Sequence, residues 1–263
     1  SAADRLSAEM GCIVMLGTNG CGFEQQLEAG YKAVAVHASP GGPNHGFLRP
    51  DSVLVVVWIT DEEDCSVSDP SIFNTADSTL GHLCLRCYMH PELVHPMSSY
   101  LEGFDALDED RPWPTVTGFI VGVPVADPAC NGNGSAIAGC LDQEAMQEEI
   151  DETDPTRLEY ACTSSIGNAH AARRMVELAI SRGEDSVVRS ICDPDWTPAM
   201  DALADRVGEI ADQACEPPMV ELGQDPVYPC IWRSACTLVH VLPACAECPE
   251  TAVLMTMSRP RPS

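Results

Sequence analysis

Positive charge is scarce in this chain. Against 40 Asp and Glu there are only 14 Lys and Arg, which leaves a formal charge of −26 over 263 residues. A field of that sign repels nucleic acid and anionic membrane surfaces, so neither is expected as a partner, whereas cations and basic proteins suit it. Aromatics are sparse too, at 5%. No apolar stretch approaches the roughly 18 residues that a membrane-spanning helix needs. There is no Gly-x-Ser-x-Gly elbow, phosphate loop, Gly-x-Gly-x-x-Gly turn or His-Glu-x-x-His pair, and the histidines adjoin no nucleophile. No catalytic residue is therefore named, and the chain is expected to be non-enzymatic.

Cysteine is abundant. Cys12, Cys21, Cys65, Cys84, Cys87, Cys130, Cys140, Cys162, Cys192, Cys215, Cys230, Cys236, Cys245 and Cys248 make 14, an even number. Such a load points to disulfides in an exported protein, secreted, periplasmic or on the cell surface. Ser1-Ala2-Ala3-Asp4 has none of the character of a signal peptide, so an export signal is expected to have been removed. The best local pairs are Cys12 with Cys21 and Cys130 with Cys140, each closing a loop of about ten residues and contributing roughly 2–3 kcal/mol in the chain-entropy view. The other pairings stay open. Cys84-x-x-Cys87 with His82 and His90 could join Cys245-x-x-Cys248 in a zinc site. The two halves lie too far apart in sequence for the usual zinc spacing, so disulfides are the favoured reading.

The chain is organised around Val53-Leu54-Val55-Val56-Val57-Trp58-Ile59, which runs into Thr60-Asp61-Glu62-Glu63-Asp64-Cys65-Ser66. A β-branched run of this length predicts a strand buried on both faces, and acids at its carboxyl end stand where open α/β sheets bind ligands. Phe23, Leu27, Tyr31 and Val34 recur at helical spacing before it. Further helices are predicted at about 97–107, at about 169–182 and after Asp193-Pro194-Asp195, and further strands at 117–125 and 186–192. Strands alternating with amphipathic helices predict a doubly wound, mostly parallel α/β sheet. Residues 1–215 form this domain, with irregular insertions at 65–115 and 126–168, and residues 216–263 form a Cys- and Pro-rich tail or small module. The acidic run from Asp142 to Asp154 is read as a solvated helix face.

Gly17-Thr18-Asn19-Gly20-Cys21-Gly22-Phe23-Glu24-Gln25-Gln26-Leu27-Glu28-Ala29, and Gly46-Phe47-Leu48-Arg49-Pro50-Asp51-Ser52 through Ser66, resemble the von Willebrand factor A-type fold in its secreted, cysteine-rich myxobacterial form. Ser190-Ile191-Cys192-Asp193-Pro194-Asp195-Trp196 is similar to the last strand and helix of that group. The resemblance covers about residues 1–65, 116–125 and 185–215. It implies a divalent cation, Mg or Ca, at the carboxyl edge of the sheet, with Thr18 in the Thr loop and Asp61 as the fourth-strand ligand. The family's first strand and Asp-x-Ser-x-Ser loop have no counterpart ahead of Thr18. Asp64, Ser66 and Ser68 spell that motif later and form the alternative metal set. Without its first strand, the Val53–Ile59 strand has an open edge. That edge is expected to be covered by a separate chain, an upstream cleaved segment or another strand. The implied role is a protein-binding, adhesion-type subunit of a surface or periplasmic assembly. The alternatives are a disulfide-hardened scaffold with no functional metal site and, further off, a hydrolase.

Overall fold

A computed structural model describes residues 22–49, 52–165, 167–214 and 251–257. In chain order the strands are β1 (Val53–Ile59), β2 (Val116–Val121), β3 (Gly132–Asn133), β4 (Tyr160–Thr163), β5 (Asn168–His170), β6 (Ser186–Ser190) and β7 (Thr251–Met257). The longer helices are α1 (Gln26–Tyr31, continued by a wider π turn over Lys32–Val36), α2 (Met97–Glu109), α3 (Arg173–Arg182) and α4 (Thr197–Ala214). The central sheet has the order β3-β6-β2-β1-β7. Its strands are parallel except for the short β3. β4 and β5 form a separate antiparallel ribbon. The protein is thus a mixed α/β fold on a mostly parallel sheet, as the alternation of strands and helices predicts.

All seven residues of β1 are buried, because the strand separates two cores. Successive side chains of a strand point to opposite faces. Leu54, Val56 and Trp58 pack with Leu27 of α1, Tyr100 and Phe104 of α2 and Met175 and Leu178 of α3. Val53, Val55, Val57 and Ile59 meet Ala199, Leu203 and Ile210 of α4 on the other side. Each large side chain buried this way contributes roughly 1.5–3 kcal/mol. Trp58 anchors the first core. Its ring stacks on Phe119, its partner on β2, with centroids 5.0 Å apart. Its indole N–H donates to the Gln26 carbonyl at 2.9 Å. A Cβ on Gly30 would lie 2.7 Å from that ring, so glycine is what lets α1 rest directly on the indole.

The open edge of β1 is occupied. β7 pairs with it in parallel along its full length, from Val53 opposite Thr251 to Ile59 opposite Met257. Of the occupants expected from the sequence, the structure shows another strand of the same chain, drawn from the segment assigned to the tail. A bare parallel edge of seven apolar residues is a template for association. Deleting Thr251–Met257 should therefore make the protein associate or precipitate with rising concentration beyond what the full chain does. Light scattering of both proteins across a dilution series checks this, and identical profiles would refute it.

Several boundaries differ from expectation. Residues 169 and 170, placed at the start of the helix predicted over about 169–182, belong instead to β5, which bonds back to β4, and the helix begins at Arg173. The acidic run 142–154 contains no α-helix. Two 3₁₀ turns, Cys140–Asp142 and Glu144–Met146, bury Met146 completely instead. A single buried residue per turn with acids around it cannot sustain a helical stripe.

Three disulfides hold the irregular segments. Cys130–Cys140 is the local pair expected from spacing, and Cys65–Cys87 and Cys162–Cys192 join segments 22 and 30 residues apart. Cys65–Cys87 ties the 66–95 insertion to the end of β1, and Cys162–Cys192 ties the β4–β5 ribbon to the end of β6. Bonding to Cys65 removes Cys87 from any zinc site, and among the described residues Cys84 has no disulfide partner. No helix of the described residues is long and apolar enough to cross a membrane.

Candidate functional site

The acids that end β1 are fixed by three neighbouring elements. Thr60 N–H donates to the Ile120 carbonyl at 3.1 Å, holding the strand end against β2. Its hydroxyl accepts from Gln26 Nε2 at 2.9 Å and from the Glu62 N–H at 3.2 Å. The Asp61 carbonyl accepts from the His170 N–H at 2.9 Å, which brings β5 alongside. Cys65 N–H donates to the Glu24 carbonyl at 2.6 Å, which brings in the segment ahead of α1.

Asp64 is the hub. Its Oδ1 accepts from the Leu27 N–H at 2.8 Å and from Ser66 Oγ at 2.7 Å. Its Oδ2 accepts from the Ser66 N–H at 3.2 Å and from Arg174 Nε at 3.1 Å. A carboxylate offers about four lone-pair sites, and here four donors fill them. The side chain is wholly buried, and its cation is the Arg174 guanidinium, which also donates to the His95 carbonyl at 2.6 Å. Ser66 Oγ further accepts from the Glu28 N–H at 3.0 Å. Ser68 lies exposed, away from this cluster.

These bonds bear on the metal expected from the resemblance. Asp64 and Ser66 are committed to one another, to α1 and to Arg174, so the Asp64, Ser66 and Ser68 set does not fit a divalent ion. Asp61 is 6% exposed and stands just past the carboxyl end of β1. Thr18 lies outside the described residues, as do Cys12, Cys21, Cys215, Cys230, Cys236, Cys245 and Cys248. Among the described residues no three His, Cys, Asp or Glu side chains are grouped to hold a metal ion.

Beyond Asp64 the edge opens into a cleft of about 520 Å³. Asp61, Glu62, Glu63 and Glu148 contribute carboxylates to it, and Phe23, Tyr88 and Tyr160 contribute aromatic faces. Glu63 Oε1 accepts from the Asp64 N–H at 2.7 Å, and Oε2 accepts from the Arg174 N–H at 3.1 Å. The second bond places a carboxylate at the start of α3, where an anion is favoured. Burial nevertheless dominates. Together with the nearby charges of Glu148 and Asp64 it overrides both hydrogen bonds, so the Glu63 carboxyl is pushed up to about 8. Burial also raises Glu148, against the attraction of Arg173 and Arg174. The opposite wall is a ladder. The Arg157 guanidinium lies 4.4 Å above the Tyr160 ring, which stands 4.7 Å from His170, whose Nε2 is 3.9 Å from Glu62.

The sequence pointed to Asp61 and to the acidic end of β1. It did not identify Glu63 as the perturbed acid, nor Glu148, Arg174, His170 or Tyr160 as its neighbours. One signal was hidden. Arg173 and Arg174 open α3, the end where cations are disfavoured, but a helix predicted from about residue 169 places them a turn inside it. Glu148 carried none, since its run looks like any solvated acidic stretch. Comparison with protein-family models, with characterised proteins and with solved structures returns no match to this chain.

Proposed function

We propose that this is an exported, von Willebrand A-like protein with a doubly wound sheet, a protein-binding subunit of a cell-surface or periplasmic assembly that engages its partner at the carboxyl edge of the sheet. The carrying observation is the cleft. It sits just past the carboxyl end of the central strand β1, where parallel sheets expose backbone ends and loops to ligands, and acids and aromatics line it. The disulfides suit an extracytoplasmic location. The location of helices on both faces of β1 supports the doubly wound arrangement.

A second reading, a disulfide-hardened scaffold with no functional metal site, is favoured by one observation, the complete occupation of Asp64 by protein donors. On both readings Asp64 needs no ion. Thermal unfolding should be unchanged, within about 1 °C, by a strong chelator or by millimolar Mg²⁺, Ca²⁺ or Mn²⁺. A cation-dependent rise of several degrees would return the metal to the site.

The two readings separate on partner contact. A photo-crosslinking residue at Tyr88, which is 'at the cleft', should give a discrete protein adduct in the cells that make the chain, whereas one at Val125 should not. Equal labelling at both positions, or none at Tyr88, would leave the scaffold.

A further inference from the structure

Large apolar side chains are seldom left exposed close together on a protein that stays soluble, and when they are they mark contact surfaces. Here Phe73, Leu83, Tyr88 and Met89, each 38–46% exposed, all belong to the insertion that follows β1. Three of them, Phe73, Leu83 and Tyr88, are continuous with the acidic cleft. Leu83 and Tyr88 line it, and Phe23, which also lines it, stands edge-on to Phe73 with ring centroids 5.0 Å apart.

We propose that this apolar face and the acidic cleft are one docking surface, and that its occupant is a segment of a partner protein in which Lys or Arg side chains alternate with large apolar ones. The inference rests on the reading of the cleft as the partner's site and adds the chemistry of that partner.

The surface is built rather than loose. Arg86 is 2% exposed at the centre of the insertion. Its guanidinium donates to the carbonyls of Ile72 at 2.7 Å, Asn74 at 2.9 Å, Asp77 at 3.1 Å and Gly81 at 3.4 Å. One buried side chain thus fixes four points of an otherwise irregular loop, and Cys65–Cys87 ties that loop to the strand end. A surface held in shape before binding loses little entropy when a partner arrives.

Charge selects the partner. Asp61, Glu62 and Glu148 share the cleft, its cations Arg157 and Arg174 are already paired with Asp151 and Asp64, and the whole chain carries a formal −26, so a basic segment is steered in while a second copy of this chain is repelled. The exposed Tyr88 ring is available to an ammonium or guanidinium group, the kind of contact that Tyr160 already makes with Arg157. The exposed side chains of Leu83, Tyr88 and Met89 then take the apolar residues between the charges.

The test uses the full chain and three fluorescent 12-residue peptides, one alternating Lys and Leu, one Lys and Ser, and one Glu and Leu. Anisotropy titration at moderate salt should show the Lys–Leu peptide binding at least tenfold more tightly than either of the others. Glu62→Lys with Glu148→Lys should weaken it at least tenfold. Asp201→Lys with Asp205→Lys, the same charge change on exposed positions of α4, should alter it less than twofold. Tyr88→Ser with Met89→Ser should weaken Lys–Leu binding and leave Lys–Ser binding as it was. Equal effects of the two charge reversals would reduce the attraction to bulk charge and overturn the proposal. So would equal binding of Lys–Leu and Lys–Ser, or no binding at all, the result expected if other parts of this chain cover the face. If the peptides fail while the adduct at Tyr88 persists, the cleft remains the partner's site and only the assigned chemistry falls. If both fail, the site itself falls.

Discussion

Asp64→Asn should destabilise the folded protein by about 3–5 kcal/mol, the usual cost of removing one member of a buried, hydrogen-bonded ion pair. The substitution keeps the shape of the side chain and one acceptor oxygen. It turns the other oxygen into a donor, which then faces N–H groups of Leu27 or of Ser66 and Arg174. It also leaves the Arg174 guanidinium half-buried without its carboxylate. Because Asp64 joins the end of β1 to α1 and α3 at once, the loss falls on the global transition rather than on one loop. Urea unfolding with the disulfides intact should show a lower midpoint and an unchanged slope. Arg174→Met should also be destabilising, since it leaves the wholly buried Asp64 carboxylate without its cation, held only by the donors of Leu27 and Ser66. The double variant should fall well short of the sum of the two, which reports their coupling. The loss should be the same with and without chelator. A change under about 1 kcal/mol, or one seen only when divalent cation is present, would contradict the internal ion pair.

The parts of this arrangement that the sequence made legible are those with a strong local signature. A β-branched run such as Val53–Ile59 buries on both faces wherever it lies in a sheet, and the stripes of α3 and α4 have to face it. Asp61 follows from that, being the first acid past the strand. Cys130–Cys140 follows from loop length. What could not be read is set by distant pairing. Nothing in Thr251–Met257 marks it as the neighbour of a strand nearly two hundred residues earlier, because parallel pairing leaves no turn between the two segments to signal it. Glu148 and Tyr160 reach the cleft only through the folding of an irregular segment whose periodicity is silent. Asp64 was open to two readings for a physical reason: Asp-x-Ser-x-Ser serves equally to cap backbone N–H groups and to bind a cation, and the Arg174 guanidinium beside it lies beyond the reach of local sequence.

Glu63→Gln should reshape the pH dependence of stability. Glu63 is buried, and Glu148 and Asp64 crowd it, so its folded carboxyl titrates near 8 against an ordinary value of 4.5. A raised acid holds its proton in the folded state over the pH range in which the unfolded chain has already lost it. Stability from this group is therefore greatest below about 4.5, falls as pH rises through the interval, and reaches its lowest level above about 8. Gln resembles the protonated carboxyl, with one acceptor and one donating end, so variant and wild type should be close in stability at pH 5. By pH 9 the variant should be the more stable, by on the order of 3–4 kcal/mol. Arg174 attracts the ionised form and Glu148 opposes it, so the second arm is Glu148→Gln. Removing that neighbour should move the end of the fall from about 8 to lower pH, toward the ordinary carboxyl range, because one of the two charges that raise Glu63 is gone. Unfolding free energies measured from pH 5 to 9 for the three proteins decide the matter. Parallel curves for wild type and Glu63→Gln would mean that Glu63 is already ionised in the folded protein, and the crowding of carboxylates in the cleft would then have to be relieved by water or by a cation.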